Sequence, residues 1–113
     1  MEALTTLDQL FQCYESIAQV VRGMLKSTRE DDWDTVIELH QRYNTLVDLL
    51  RPVHGRFSFD TAQRARVEDL TRRILADEAQ VRERAAPRLA RLSALVESNR
   101  QTLALQKTYG LAR

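Results

Sequence analysis

Apolar residues open the chain in alternating steps of three and four. Ala3, Leu7, Leu10, Tyr14, Ile17, Val21 and Met24 fall on one face of a helix, and this spacing predicts a helix from about Leu4 to Thr28. Phe11, Ala18 and Leu25 widen the face on one side, and Cys13 and Val20 on the other, so the stripe exceeds what one neighbouring helix needs. Gly23 lies inside it, at a cost of up to ~1 kcal/mol relative to Ala. The acidic turn "EDD" then opens a second patterned segment, "WDTVIELHQRYNTLVDLL", where Asp31 or Asp32 can cap the free amides. Trp33, Val36, Ile37, His40, Tyr43, Val47 and Leu50 form its expected inward face, and Leu39 and Leu46 extend it sideways. Pro52 disfavours helical geometry in the residue before it, so this helix should stop near Arg51.

The stretch "RPVHGRFSFD" reads as a connector, with Pro52 and Gly55 as breakers. A third region opens with Ser58 or Asp60 as cap and has no strong stop signal for more than thirty residues. Val67, Leu70, Ile74, Val81, Leu89, Leu92 and Val96 line one side; Pro87 projects away from them and predicts a kink rather than an end. The softest point falls near Ser98. Beyond it, Leu103, Leu105, Tyr109 and Leu111 make the tail too apolar to be left in water, and Gly110 can close a last short helix. The pattern predicts an all-α fold: an antiparallel bundle of three long helices (residues 1–98) plus a short C-terminal helix and tail (99–113) folding back on it.

Composition narrows the function. A length of 113 residues gives one domain, and three Gly and two Pro leave little material for turns. No apolar run reaches the ~20 residues of a membrane span and no signal-peptide layout opens the chain, so a cytoplasmic protein without membrane insertion is expected. The single Cys13 suits a reducing compartment and reads as a buried structural thiol. Residues 1–50 hold four basic and nine acidic groups, residues 51–91 ten arginines and six acids, within a net charge of +1. The two halves therefore have the charges to pack together or to face different partners. Arg66, Arg73, Arg84, Arg88 and Arg91 share a flank, but acids interleave at helical spacing (Glu68 with Arg72, Asp69 with Arg73, Glu78 with Arg82), which argues against direct nucleic-acid binding. No metal or cofactor constellation is present and no enzyme is expected: His40 reads as a hydrogen-bonded core residue, and His54 stands in the connector. Glu78 projects into the apolar stripe, either paired with a neighbouring helix or as a polar anchor for a bound one. The surplus of apolar surface is either ordinary burial within a small bundle or a groove for an amphipathic helix.

The segments "DDWDTVIELHQRYNTLVDLL", "RRILADEAQVRERAAPRLARLSALV" and "QKTYG" resemble, in the same order and over nearly the whole chain, the family of the flagellar export chaperone FliT. The resemblance implies a cytoplasmic chaperone of flagellar type III secretion. Its cargo would be the C-terminal helical segment of the filament-capping protein FliD, and its further partners the export gate and components of the ATPase complex. In some enteric relatives the flagellar master transcription activator is also a partner, although this chain ends sooner after Gly110 than theirs do. The resemblance also implies a last helix that occludes the binding surface. Carried onto this sequence, the autoinhibitory tail is Leu103, Leu105 and Tyr109, and Tyr109 and Gly110 would dock at the export gate. Helical projection places the cargo groove at Val36, Leu39, Tyr43, Leu46, Leu70, Ile74 and Val81. A homodimer through the same surface stays open, as does the alternative of a small dimeric helical adaptor that binds a transcription activator without a role in secretion.

Overall fold

The computed structural model describes the backbone of residues 4–108 and the side chains of residues 4–90. Three helices make up the regular structure: α1 (Leu7–Arg29), α2 (Trp33–Leu50) and α3 (Thr61–Thr108). No strand occurs among the described residues. By compactness the chain divides into two units, Met1–Val81 and Arg82–Arg113. The first holds α1, α2 and the opening turns of α3.

Each helix start has a chemical cause. Thr6 accepts a hydrogen bond from the Gln9 amide at 3.1 Å, while the Gln9 side chain accepts one from the Thr6 amide at 3.2 Å, a reciprocal capping box. Asp32 caps α2 by accepting from the Thr35 amide at 3.3 Å. Of the two caps expected for α3, Asp60 takes the role: it accepts from the Gln63 amide at 2.8 Å and its own amide donates to Gln63 Oε1 at 3.0 Å.

The acidic turn divides differently from the sequence reading. Glu30 and Asp31 close α1 rather than open α2. The Asp32 amide donates back to the Ser27 carbonyl at 2.9 Å and the Asp31 amide to Thr28 at 3.3 Å, which is the Schellman closure. It places Asp31 at φ 59°, in the left-handed region. The Asp31 carboxylate also accepts from Trp33 Nε1 at 2.8 Å, tying the end of α1 to the start of α2.

The width of the α1 stripe now has its explanation. Leu10, Phe11, Cys13, Tyr14, Ile17, Val20, Val21, Met24 and Leu25 are all buried, because α1 is flanked by α2 on one side and α3 on the other. Leu10 and Val21 are wholly buried, worth ~1.5–3 kcal/mol each. The Cys13 thiol donates to the Leu46 carbonyl at 3.4 Å, and Leu39 Cδ1 lies 3.2 Å from where a Cβ on Gly23 would stand. These two contacts show α1 and α2 antiparallel. Arg66 meets Glu15 at 2.9 Å, Arg22 meets Asp77 at 3.2 Å and Arg29 meets Gln80 at 3.4 Å, so α3 runs parallel to α1 along an exposed polar seam. Within the first unit this is the expected up-down-up order.

Two sequence expectations need correction. His40 is exposed, stacked on Tyr43 at 6.0 Å between centroids, and is not a core residue. Ile37 is 59 % exposed and so does not belong to the inward face of α2; Leu89, on the far part of α3, is 61 % exposed. The physical reason for His40 and Ile37 is that α2 lies at the edge of the unit: no residue on it is fully buried. The "RPVHGRFSFD" connector contributes to the core, with Val53 buried and Phe59 6.0 Å from Phe11 between ring centroids. The helical backbone of α3 continues through Pro87, Leu103 and Leu105 to Thr108, and within the described residues the short C-terminal helix expected from the sequence is not distinguished from it. Tyr109 and Gly110 lie outside those residues.

Candidate functional site

Between α2 and α3, floored by α1, lies a small hollow of about 130 Å³. Tyr14 and Ile17 form its floor, Tyr43, Val47 and Leu50 the α2 wall, and Thr71, Ile74, Leu75 and Glu78 the α3 wall. The walls follow from the helical period: Tyr43, Val47 and Leu50, like Thr71, Ile74, Leu75 and Glu78, repeat in steps of three and four on one side of each helix. Leu75 is 56 % exposed at the rim. Glu78, partly buried, is the one charged residue of the lining.

The seven groove residues expected from projection do not gather in one place. Tyr43 and Ile74 meet in the hollow. Leu70 is 4 % exposed and belongs to the core, and Val81 packs against that core at the edge of the unit. Leu39 is used on Gly23. Leu46 turns to the other flank of α2, where it lines a separate depression with Cys13 and Leu49. Val36 is partly buried and lines none of these depressions. Projection alone missed Tyr14, Ile17, Val47, Leu50 and Leu75. Their positions in the apolar stripes were visible in the sequence, but not which flank faces the gap.

A wider depression, about 570 Å³, lies elsewhere and is polar, with Asp8, Gln12, Glu15 and Arg66 around Phe11. Arg66 is already committed there: it pairs with Glu15 and its guanidinium lies 4.4 Å from the Phe11 ring centroid. Among the sequence-expected pairs on α3, Asp69–Arg73 is made at 3.9 Å. Of the arginine flank, Arg66 and Arg73 are thus paired with acids.

Chemically reactive groups are muted. Burial raises the Cys13 thiol above its ordinary pKa. Tyr14 is raised too, first by burial and then by the neighbouring Cys13 charge, while its hydroxyl shares a 3.0 Å hydrogen bond with His54 Nδ1. No group of three or more His, Cys, Asp or Glu able to hold a metal occurs among the described residues, and no described helix is long and apolar enough to cross a membrane.

Fold and lining together define a small helical protein with, among its surface depressions, one apolar hollow between two helices, the kind of surface against which another helix can pack. Comparison with known proteins makes this specific. Residues 11–111 match the family model described as flagellar protein FliT. The crystal structure of flagellar protein FliT from Bordetella bronchiseptica is similar at 38% identity and a TM-score of 0.68, covering 76% of this chain and 97% of that one. No curated protein matches. The chain belongs to the FliT family of flagellar proteins.

Proposed function

We propose that the protein is a flagellar type III export chaperone that binds the C-terminal helical segment of the filament-capping protein FliD in the cytoplasm, keeps it from assembling early and hands it to the export gate and its ATPase complex. The observation that carries this reading is the incomplete cover on α2. Its apolar face has no fully buried residue, yet Tyr43, Val47 and Leu50 converge with Ile74 and Leu75 on one cleft. An amphipathic helix presenting apolar anchors at i, i+3, i+4 and i+7 complements such a surface.

In this reading the segment 99–113 regulates access, with Leu103, Leu105 and Tyr109 competing for the cleft and Tyr109 and Gly110 docking at the gate once displaced. A segment held on the same chain acts at high effective concentration, so weak contacts suffice to restrain cargo. Coupling of about 1–3 kcal/mol would give useful switching. The test is calorimetric titration of the FliD C-terminal segment into the full chain and into a chain ending at Ser98. Tighter binding to the shorter chain supports cargo and regulation together. Equal binding keeps the cargo and removes the regulatory tail. No binding to either removes the chaperone reading in favour of a helical adaptor without a secretion role.

A further inference from the structure

The cleft holds one residue that packing does not explain. Glu78 shares its lining with Tyr43, Ile74 and Leu75 and is the one charged residue there. The preceding residue, Asp77, already has its cation, Arg22, at 3.2 Å. Arg29 is engaged with Gln80 at 3.4 Å. Among the described residues Glu78 itself makes no hydrogen bond or ion pair. Glu78 is only partly buried, and no buried side-chain oxygen or nitrogen among the described residues lacks a partner, so in the free protein water solvates its carboxylate. A purely apolar helix laid into the cleft would strip that water away and leave a charge without a partner, which is costly.

From this, and resting on the chaperone reading above, we propose that Glu78 sets the specificity of the cleft: the helix it accepts carries a Lys or Arg about one turn from the apolar side chain that packs beside Tyr43 and Ile74. Ile74 and Glu78 are spaced i,i+4 on α3, about 5–6 Å apart at their Cβ atoms, so anchor and cation on the partner must be separated by a similar step. A charge-assisted hydrogen bond to the carboxylate then replaces the lost water. Segments that match the apolar pattern but lack the cation are rejected by the same desolvation cost, so one residue both attracts the right helix and excludes wrong ones.

The test titrates the synthetic C-terminal segment of FliD into the full chain carrying wild-type Glu78, Glu78→Gln or Glu78→Lys, with thermal unfolding of each protein alongside. Glu78→Gln should weaken binding about tenfold, and Glu78→Lys more, while the unfolding midpoint of Glu78→Gln stays level because the carboxylate makes no hydrogen bond or ion pair with the described residues. Replacing the segment's basic residues one at a time by Glu should identify one variant that restores binding to Glu78→Lys. Wild-type binding left unchanged by both substitutions overturns the inference and leaves the chaperone reading standing. Weakened binding that no charge-reversed segment restores also overturns it. Absence of binding to the wild-type chain removes the chaperone reading and this inference with it.

Discussion

Replacing Gly23 by Ala sets two opposed effects of similar size against each other. Gly23 lies in the interior of α1, where Ala is favoured by roughly 1 kcal/mol because it loses less backbone freedom on folding. The added Cβ would stand 3.2 Å from Leu39 Cδ1, inside the ~3.5–4.0 Å of comfortable carbon contact, so Leu39 must retreat by a few tenths of an ångström. In a closed core such overpacking costs about 1–3 kcal/mol. Leu39 is only partly buried and sits on a helix without a fully buried residue, so its retreat should cost less than that. Gly23→Ala should therefore stabilise by up to ~0.5 kcal/mol in urea unfolding, with an unchanged denaturant slope. In a Leu39→Ala background the obstruction is gone and the same change should gain the full ~1 kcal/mol, the difference being the coupling of the pair. A loss beyond ~1 kcal/mol that persists without the Leu39 side chain would refute both the contact as its origin and the view that α2 can give way.

Three further outcomes follow from the packing and the buried ionisable groups. Leu10→Ala removes a wholly buried side chain and should cost about 3–5 kcal/mol in the same assay, against less than ~1 kcal/mol if α1 were not sandwiched on both sides. Arg66→Ala should cost about 1 kcal/mol, from the half-exposed Glu15 pair and the Phe11 face together, and the ion-pair share should shrink in 1 M salt. Burial holds the thiol of Cys13 and the phenol of Tyr14 above their ordinary pKa values, so the unfolded chain releases these protons first. Their contribution to stability is whole below about pH 8.5 and is lost as pH rises through the values in the fold. Cys13→Ala should flatten the first part of that alkaline decline; an already flat stability between about pH 8.5 and 10 would count against the burial.

Much of this was legible because α1 and the start of α3 obey the helical period over many residues. The two-sided width of the α1 stripe announced two neighbours before any coordinates did, and the Trp33 start and Arg51 end of α2 could be read from an acidic cap and Pro52. What could not be read was which flank of a stripe faces a partner. Leu46 lies about 60° around the helix from Tyr43 at ~100° per residue, a difference too small for projection to resolve, yet it sends one toward Cys13 and the other into the cleft. His40 and Ile37 fit the inward pattern but face outward because α2 has neighbours on only part of its circumference. Val53 and Phe59 escaped notice for another reason: a connector has no period, so its buried residues leave no pattern.

The exposed rim residue Leu75 offers the sharpest separation of folding from binding. At 56 % exposure it contributes little to the core, so Leu75→Lys should change stability by no more than about 0.5 kcal/mol. If the cleft holds a helix, however, the same change puts a flexible cation where an apolar anchor would rest, and near Glu78, to which the new ammonium could pair one turn away in place of the ligand. Affinity for the FliD segment should then fall by tenfold or more, with heat-capacity change on binding reduced in magnitude. Ile37→Lys is the matched control: it is 59 % exposed on α2 but outside the cleft lining, and it should alter neither stability nor affinity. Equal losses for both would mean that cargo spreads over the outer face of α2. No loss for either would mean that the cleft between α2 and α3 is incidental to packing, and the search for the docking surface would move to the depression beside Leu46 and Leu49.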